Sequence, residues 1–591
     1  MRIKHFFGLA VIAAMTASCS SNNDLANGGN GSGENESGAS YASITIDLPT
    51  TSSTRATTND QFDGGTASEY AVNDATLLIF EKDGSSENEY KFVEQASLGN
   101  LEPWKKDNTV NNGITTEATI TAELKNAKVG NTDYYALVIL NNKDKDNKDK
   151  VSMPGSTDTY GTWNVANNVK NLNDNEKGFY MANAPEFKTA GDEPTTLVPI
   201  KGIYRTKEEA HSKPGTTVHV ERGLAKVTVG SNSSSDYFAT DGAAVTENKY
   251  KNDVVKITNW ALDVTNNKSF PVHVTSGLKA GLTSTDQTVP AYADIWNDAA
   301  ATTGTTPATS RFVSHPATGA FKRVYWGIDP NYSMDLSDLT KCKAQFTLAD
   351  AEGKGVTWND GSGSEKPLYC LENTFDIKNM KQGQTTRVLL KATYTPKAVA
   401  TETDKTFFMI GNSSDIWTVT TLAEQIKSKA EEVLGTTTGV TVTLNEGIKA
   451  AGTHVLDATN VTIKSGEDDK TSIVVGQINT KLGLDATKKI GIKTYKNGES
   501  YYIARIKHFG DDLTPWEAGK DTYGENNLNW LGRYGVLRNN WYDLTINSIS
   551  GPGYPDVPEV KPTDPDDEDT KYINVSVKIL DWAKRSQSWD L

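Results

Sequence analysis

The last stretch of the chain, KYINVSVKILDWAKRSQSWDL (571–591), places Ile573, Val575, Val577 and Ile579 at every second position, with polar residues between them. A period of two marks a β-strand with one apolar face. Trp582 follows closely and offers a further apolar anchor beside whatever surface receives the strand. The preceding spacer, PEVKPTDPDDEDT (558–570), is acidic and proline-bearing, a composition that predicts a solvated, extended tether. An amphipathic strand on such a tether needs an acceptor, and the expected acceptor is another copy of the protein.

The same alternation occurs near the other end. In YASITIDL (41–48), Ile44, Ile46 and Leu48 alternate with Thr45 and Asp47. Pro49 and a polar run, TTSSTRATTNDQFDGG (50–65), follow, with a lone arginine at Arg55. Exposed polar loops of this kind are favoured sites of proteolysis, so the first strand reads as detachable and the mature fold begins near Ala56.

Between these ends, short strand patterns separated by turn residues predict all-β sandwiches. YYALVIL (134–140) is an unbroken apolar run and predicts a central strand. A new alternating run at 218–229 puts a domain boundary near residue 215, and the Thr/Ala/Gly/Pro-rich stretch 283–316 reads as a surface excursion. One helix is predicted, over 422–434, from Leu422, Ile426, Ala430 and Val433 at helical spacing with Gly435 as its stop.

Charge and composition narrow the function. A net charge of −15 argues against nucleic acid and against an anionic membrane surface as partners. Arg2 and Lys4 ahead of FFGLAVIAAM (6–15) form a signal segment, 1–18, and Thr16-Ala17-Ser18-Cys19 looks like a bacterial lipobox. Cys19 is then the lipidated first residue, and 20–40 a disordered tether linking the anchored lipid to the fold. Cys342 and Cys370 are left open between a disulfide and two buried thiols.

Other chemistry finds little support. The loop NNKDKDNKDK (141–150) interleaves lysines with its aspartates and lacks the glycine and glutamate of a calcium loop, so no metal is expected. The seven histidines are scattered and form no metal or catalytic motif, so neither catalysis nor a cofactor is expected. A surface glycan-binding lipoprotein is the competing class, because 12 tryptophans and 23 tyrosines supply sugar platforms. That reading leaves both terminal strands unexplained.

LGRYGVLRNNWYDLTINSI (531–549), with YYIARIKHF (501–509) and VSVKILDW (575–582), resembles the C-terminal region of major-subunit fimbrillins, which build the type V pili of Bacteroidales. ITNWALDVTNNKSFPV (257–272), YWGIDPNY (325–332), LENTF (371–375) and the lipobox extend the resemblance over most of the chain. It implies two transthyretin-like β-sandwich domains with a C-terminal donor strand, made from a lipoprotein precursor. An arginine-specific protease is then expected to cut beyond the first strand, here between Arg55 and Ala56. The groove so opened is filled by the last strand of a neighbouring subunit.

The implied layout is a signal peptide at 1–18, a lipidated propeptide with the first strand at 19–55 and an N-terminal sandwich at 56–215. A C-terminal sandwich with insertions follows at 216–554, then an acidic linker at 555–570 and a donor strand at 571–591. The implied partners are copies of the protein or other fimbrial subunits, an outer-membrane anchor subunit, tip adhesins, the processing protease, and host or bacterial surface receptors. A tip adhesin should lack the donor strand and an anchor should keep its first strand, so a chain with both devices reads as a shaft subunit; an accessory or tip role is the alternative.

Overall fold

The computed structural model describes residues 38–48, 66–99, 101, 117–170, 172, 174–187, 193–245, 248–276, 312–313, 321–363, 366–509, 514, 531–566 and the backbone of 573–580. The described chain is mostly β, as its patterning predicts. Ser40–Asp47 (β1), Ala75–Glu81 (β2), Lys91–Ser97 (β3), Glu117–Leu124 (β4), Tyr134–Leu140 (β5), Met181–Asn183 (β6), Val198–Pro199 (β7) and Thr216–Arg222 (β8) form one sheet. Its order is β3-β2-β5-β6-β8-β1-β4, with β7 on β5. The apolar run of β5 is interior to that sheet, between β2 and β6, with Tyr134 and 136–140 all buried. Short helices Ala67–Tyr70 (α1), Tyr160–Ala166 (α2) and Lys207–His211 (α3) complete this part, and α3 packs against β1 and β4.

The run 218–229, read as one strand, is two strands in two sheets. Val218 and Val220 of β8 belong to the first core, whereas Ala225, Val227 and Val229 of Leu224–Ser231 (β9) belong to the second. The buried positions change phase by one residue across Gly223, and a one-residue slip sends side chains to the opposite face. The first sheet therefore extends through Arg222, beyond the boundary placed near 215.

Beyond β9 come Ala243–Ala244 (β10), Val254–Asp263 (β11), Thr265–Asn266 (β12), helix Leu339–Gln345 (α4), Phe346–Thr347 (β13), Trp358–Asn359 (β14), Leu368–Leu371 (β15) and Arg387–Thr395 (β16). An insertion follows: Phe407–Ile410 (β17), Val419–Leu434 (α5), Val440–Leu444 (β18), Gly452–His454 (β19), Val461–Ser465 (β20), Asp468–Asp469 (β21), Thr471–Lys481 (α6) and Ile492–Tyr495 (β22). The chain returns as Glu499–Arg505 (β23), Trp541–Ile549 (β24) and Ile573–Leu580 (β25).

Two sheets, β15-β9-β24-β25 and β10-β11-β16-β23, enclose the second core, which includes Val227, Trp260, Leu390, Tyr502 and Leu544. The insertion has a core of its own, built on Leu422, Ile426, Ile463, Val474 and Ile478. Helix α5 is the predicted one. Thr418 caps it by accepting from the Thr421 amide at 3.2 Å, and Gly435 ends it at φ +66°. Helix α6 was not predicted. Its sequence, TSIVVGQINTK, is rich in β-branched residues and holds a glycine, both poor helix formers, yet Val474 and Ile478 meet the insertion core one turn apart. Tertiary packing decides this segment.

Candidate assembly site at the two terminal strands

β1 is an interior strand. It pairs antiparallel with β4 from Ser40↔Leu124 to Asp47↔Glu117, and parallel with β8 from Ile44↔Thr216 to Asp47↔His219. Ile44 and Ile46 are fully buried, Leu48 is 2% exposed, and Ala42 joins them in the first core, but Ser43 and Thr45 between them are buried as well, so β1 is covered on both faces where one buried face was expected. Polar contacts fix the register. Ser40 Oγ donates to the Ala127 carbonyl at 2.7 Å, and Thr45 and Thr119 share a hydroxyl bond at 2.9 Å. The chain entering β8 comes close to β1 at Gly215, where an added Cβ would stand 2.4 Å from Thr45 Oγ1. Only glycine fits that approach without displacing β1.

β4 stands at the end of the sheet and joins it through β1. Withdrawal of β1 thus exposes two ladder edges at once, together with the slot that held Ile44 and Ile46. The end of β1 nearest the polar run 50–65 is charged. Burial, and then the charge of Glu117, push the Asp47 carboxyl up to about 6, while burial pushes His219 down to about 4. His219 Nε2 lies 3.7 Å from Asp47 Oδ2, and its ring stacks on Phe321.

At the other end, β25 pairs with β24 of its own chain, from Trp541↔Leu580 to Ile549↔Ile573, with one register shift between Ile546 and Ser548. Ile573, Val575, Val577 and Ile579 stand opposite Ile549, Ile546, Leu544 and Tyr542, all four of them buried. Among the described residues β25 is an edge strand, paired on one side with β24.

The spacer before it departs from expectation. Residues 555–566 are packed on the body rather than extended into solvent. Val557 and Val560 are buried among apolar side chains, and Arg387 Nη2 donates to the Pro558 carbonyl at 2.7 Å. The apolar valines between the prolines and acids give the segment a face to bury. Asp566 is fully buried beside Arg505. The count of acidic residues concealed both facts.

Next to the polar run, α1 holds Glu69, whose carboxylate is fully buried and sits 2.8 Å from Lys226 Nζ of β9. Tyr369 OH donates to it at 2.5 Å, and Arg222 Nε donates to its backbone carbonyl at 2.8 Å. Burial alone would raise the Glu69 carboxyl; the Lys226 charge and the hydrogen bonds outweigh it and hold the group below its ordinary range. No sequence motif marked this clamp, because its partners lie 157 and 300 residues away.

Cys342 and Cys370 are free, buried thiols, pushed up by burial to about 11 and about 12 respectively. In the 141–150 loop, Asp149 pairs with Lys143 at 2.6 Å and Asp144 accepts from the Lys148 amide, so these carboxylates serve the turn itself. Cys19, Arg55, Ala56 and Trp582 lie outside the described residues.

Residues 493–588 match the family described as "Major fimbrial subunit protein type IV, Fimbrillin, C-terminal". No curated protein matches the chain. Among solved structures, a fimbrilin from Porphyromonas gingivalis W83 aligns over 93% of this chain and 98% of its own, at 11% identity and a TM-score of 0.34. The tip fimbrial protein Mfa3 from Porphyromonas gingivalis, with a C-terminal truncation, aligns over 92% and 100%, at 9% identity and a TM-score of 0.29. A fimbrial assembly protein from Parabacteroides distasonis aligns over 59% and 95%, at 13% identity and a TM-score of 0.24.

Proposed function

We propose that this chain, a fimbrial subunit whose residues 493–588 form the fimbrillin C-terminal region, is a pilus shaft subunit that polymerises by proteolysis-triggered strand exchange. The match is to a structural, non-enzymatic family. In this reading Cys19 carries lipid and brings the precursor to the outer-membrane surface. Cleavage between Arg55 and Ala56 frees β1, and β25 of the next subunit takes its place.

The observation that carries the proposal is the position of β1, buried between β4 and β8 and followed by the polar run with Arg55. The two strands are matched, since Ser40–Asp47 and Ile573–Leu580 are each eight residues of alternating pattern. Their surroundings support this direction of exchange. Among the described residues of its own subunit β25 has one ladder, with β24, whereas the vacated berth offers β4 on one side and β8 on the other. Each extra backbone hydrogen bond contributes a net of about 1 kcal/mol. Burial of the Ile573, Val575, Val577 and Ile579 side chains contributes about 6–12 kcal/mol before ordering costs. A head-to-tail contact of this kind does not close on itself and so propagates into a filament.

An anchor subunit, tip adhesins, the arginine-specific protease and surface receptors are the partners this role requires. An Arg55→Ala precursor is expected to stay a lipidated monomer, with no high-mass ladder on unheated gels; an unchanged ladder overturns the cleavage step. A chain lacking 571–591 is expected to be processed but not polymerised, and normal filaments from it overturn strand exchange.

A further inference from the structure

The tail that exchanges has a sharply defined starting point. Residues 551–566 run back across the β10-β11-β16-β23 sheet as a strap. Tyr554 exchanges two backbone hydrogen bonds with Tyr501 of β23, at 2.7 and 2.8 Å. Val557 buries against Leu389, Tyr501 and Ile503, and Val560 enters the cluster of Val264, Leu336, Cys342 and Phe346. Gly383 leaves room for Pro562, whose Cα would lie 2.8 Å from an added Cβ. The strap then closes on the 381–385 turn. The Gln382 amide donates to the Asp564 carbonyl at 3.0 Å, and Gln382 Nε2 donates to the Pro565 carbonyl at 3.2 Å. At its end the fully buried Asp566 accepts from Thr385 Oγ1 and lies 3.6 Å from Arg505 Nη1, while Arg505 Nε donates to the Asp566 carbonyl at 3.3 Å.

We propose that Asp566 is a positioning residue: the fixed root of the exchangeable tail, so that assembly moves only the chain beyond it and leaves the strap on its own subunit. The inference rests on the strand-exchange reading above and sharpens it. A buried carboxylate held by an arginine and a hydroxyl is costly to withdraw alone, because its charge would leave Arg505 buried without compensation. The apolar strap residues add to that cost. β24 and β25, by contrast, share a single edge ladder. The part of the tail that moves therefore begins after Asp566, six residues of sequence before β25. Six residues span at most about 20 Å when extended. The leash between neighbouring subunits is thus short, and the joint is stiff rather than flexible.

The test is hydrogen exchange on filaments of processed, full-length subunit, followed peptide by peptide. The strap peptide, 551–566, is expected to be as protected in the filament as in the monomer. Asp566→Asn is expected to speed its exchange about tenfold, the scale of one lost charge-assisted contact, and to lower filament stiffness in electron micrographs while the high-mass ladder persists. A second variant leaves the root intact and inserts six Gly/Ser residues between 568 and 569; it should reproduce the loss of stiffness with the strap still protected. Deprotection of the strap in wild-type filaments overturns the proposal, as does an Asp566→Asn filament with wild-type protection and stiffness. Polymerisation of the chain lacking 571–591 would instead sink strand exchange itself, so the two failures are distinguishable.

Discussion

Asp47 of β1 stands directly across the ladder from Glu117 of β4, two carboxylates facing each other at the end of the strand nearest Arg55. On the opposite side its ladder partner is His219. The pair of titrating neighbours makes the pH response of the docked strand specific. Docking raises Asp47 from an ordinary 3.8 to about 6, so Asp47 favours the docked state as pH falls through 6. Docking lowers His219 from 6.5 to about 4, so His219 favours release as pH falls through 6.5. Between pH 4 and 6 the docked state holds its proton on Asp47 and the released state on His219, and the two effects offset each other. The unprocessed precursor should therefore show a melting temperature nearly flat from pH 4 to 6. Asp47→Asn should make acid destabilising, and His219→Gln should make acid stabilising, each by about 1–3 kcal/mol across the window. Melting curves against pH check both signs.

Ile46→Ala removes a fully buried side chain from β1 and leaves a cavity. The precursor should lose about 2–4 kcal/mol. If strand exchange proceeds as proposed, the assembled filament should not, because β1 is then no longer part of it. Denaturant titration of the precursor beside thermal dissociation of the polymer separates these outcomes.

Val577 stands opposite Leu544, near the middle of β25. On the proposed strand exchange, Val577→Asp should abolish the high-mass ladder on unheated gels while leaving the proposed cleavage at Arg55 intact. Asn574→Asp, at a polar position of the alternation, should leave the ladder in place.

Glu69→Gln leaves Lys226 charged and buried, with Tyr369 facing an amide. Equilibrium unfolding should show a loss of about 3–5 kcal/mol. A second change, Lys226→Met, should recover part of it, and a double-mutant cycle measures the coupling. Because α1 follows the polar run 50–65 in sequence, the same variant should make the segment around α1 more open to proteolysis.

The strand at 41–48 was legible because a period of two specifies a buried face irrespective of what covers it. The same logic found β25 and pointed to another copy as its acceptor, whereas β25 here lies on β24 of its own chain; alternation is satisfied by either berth. Boundaries were less legible. Val218 and Val229 share an apolar pattern across Gly223, and only the shift of phase there reveals that two cores are being served. The packed spacer was hidden by composition: nine of the residues at 558–570 are acidic or proline, and the burial of Val560 and Asp566 depends on Cys342 and Arg505, far away in sequence. Helix α6 was hidden by local propensity that the insertion core overrides.

The insertion has one further consequence. Phe407 and Tyr495 are ladder partners whose rings stack 4.4 Å apart, so the chain leaves the second core and re-enters it at a single doorway. In a polymer built as proposed, every subunit repeats that doorway at the same axial interval. The insertion is then a regularly spaced ornament, and its outer loops can change in sequence and length while the strands that join one subunit to the next stay as they are.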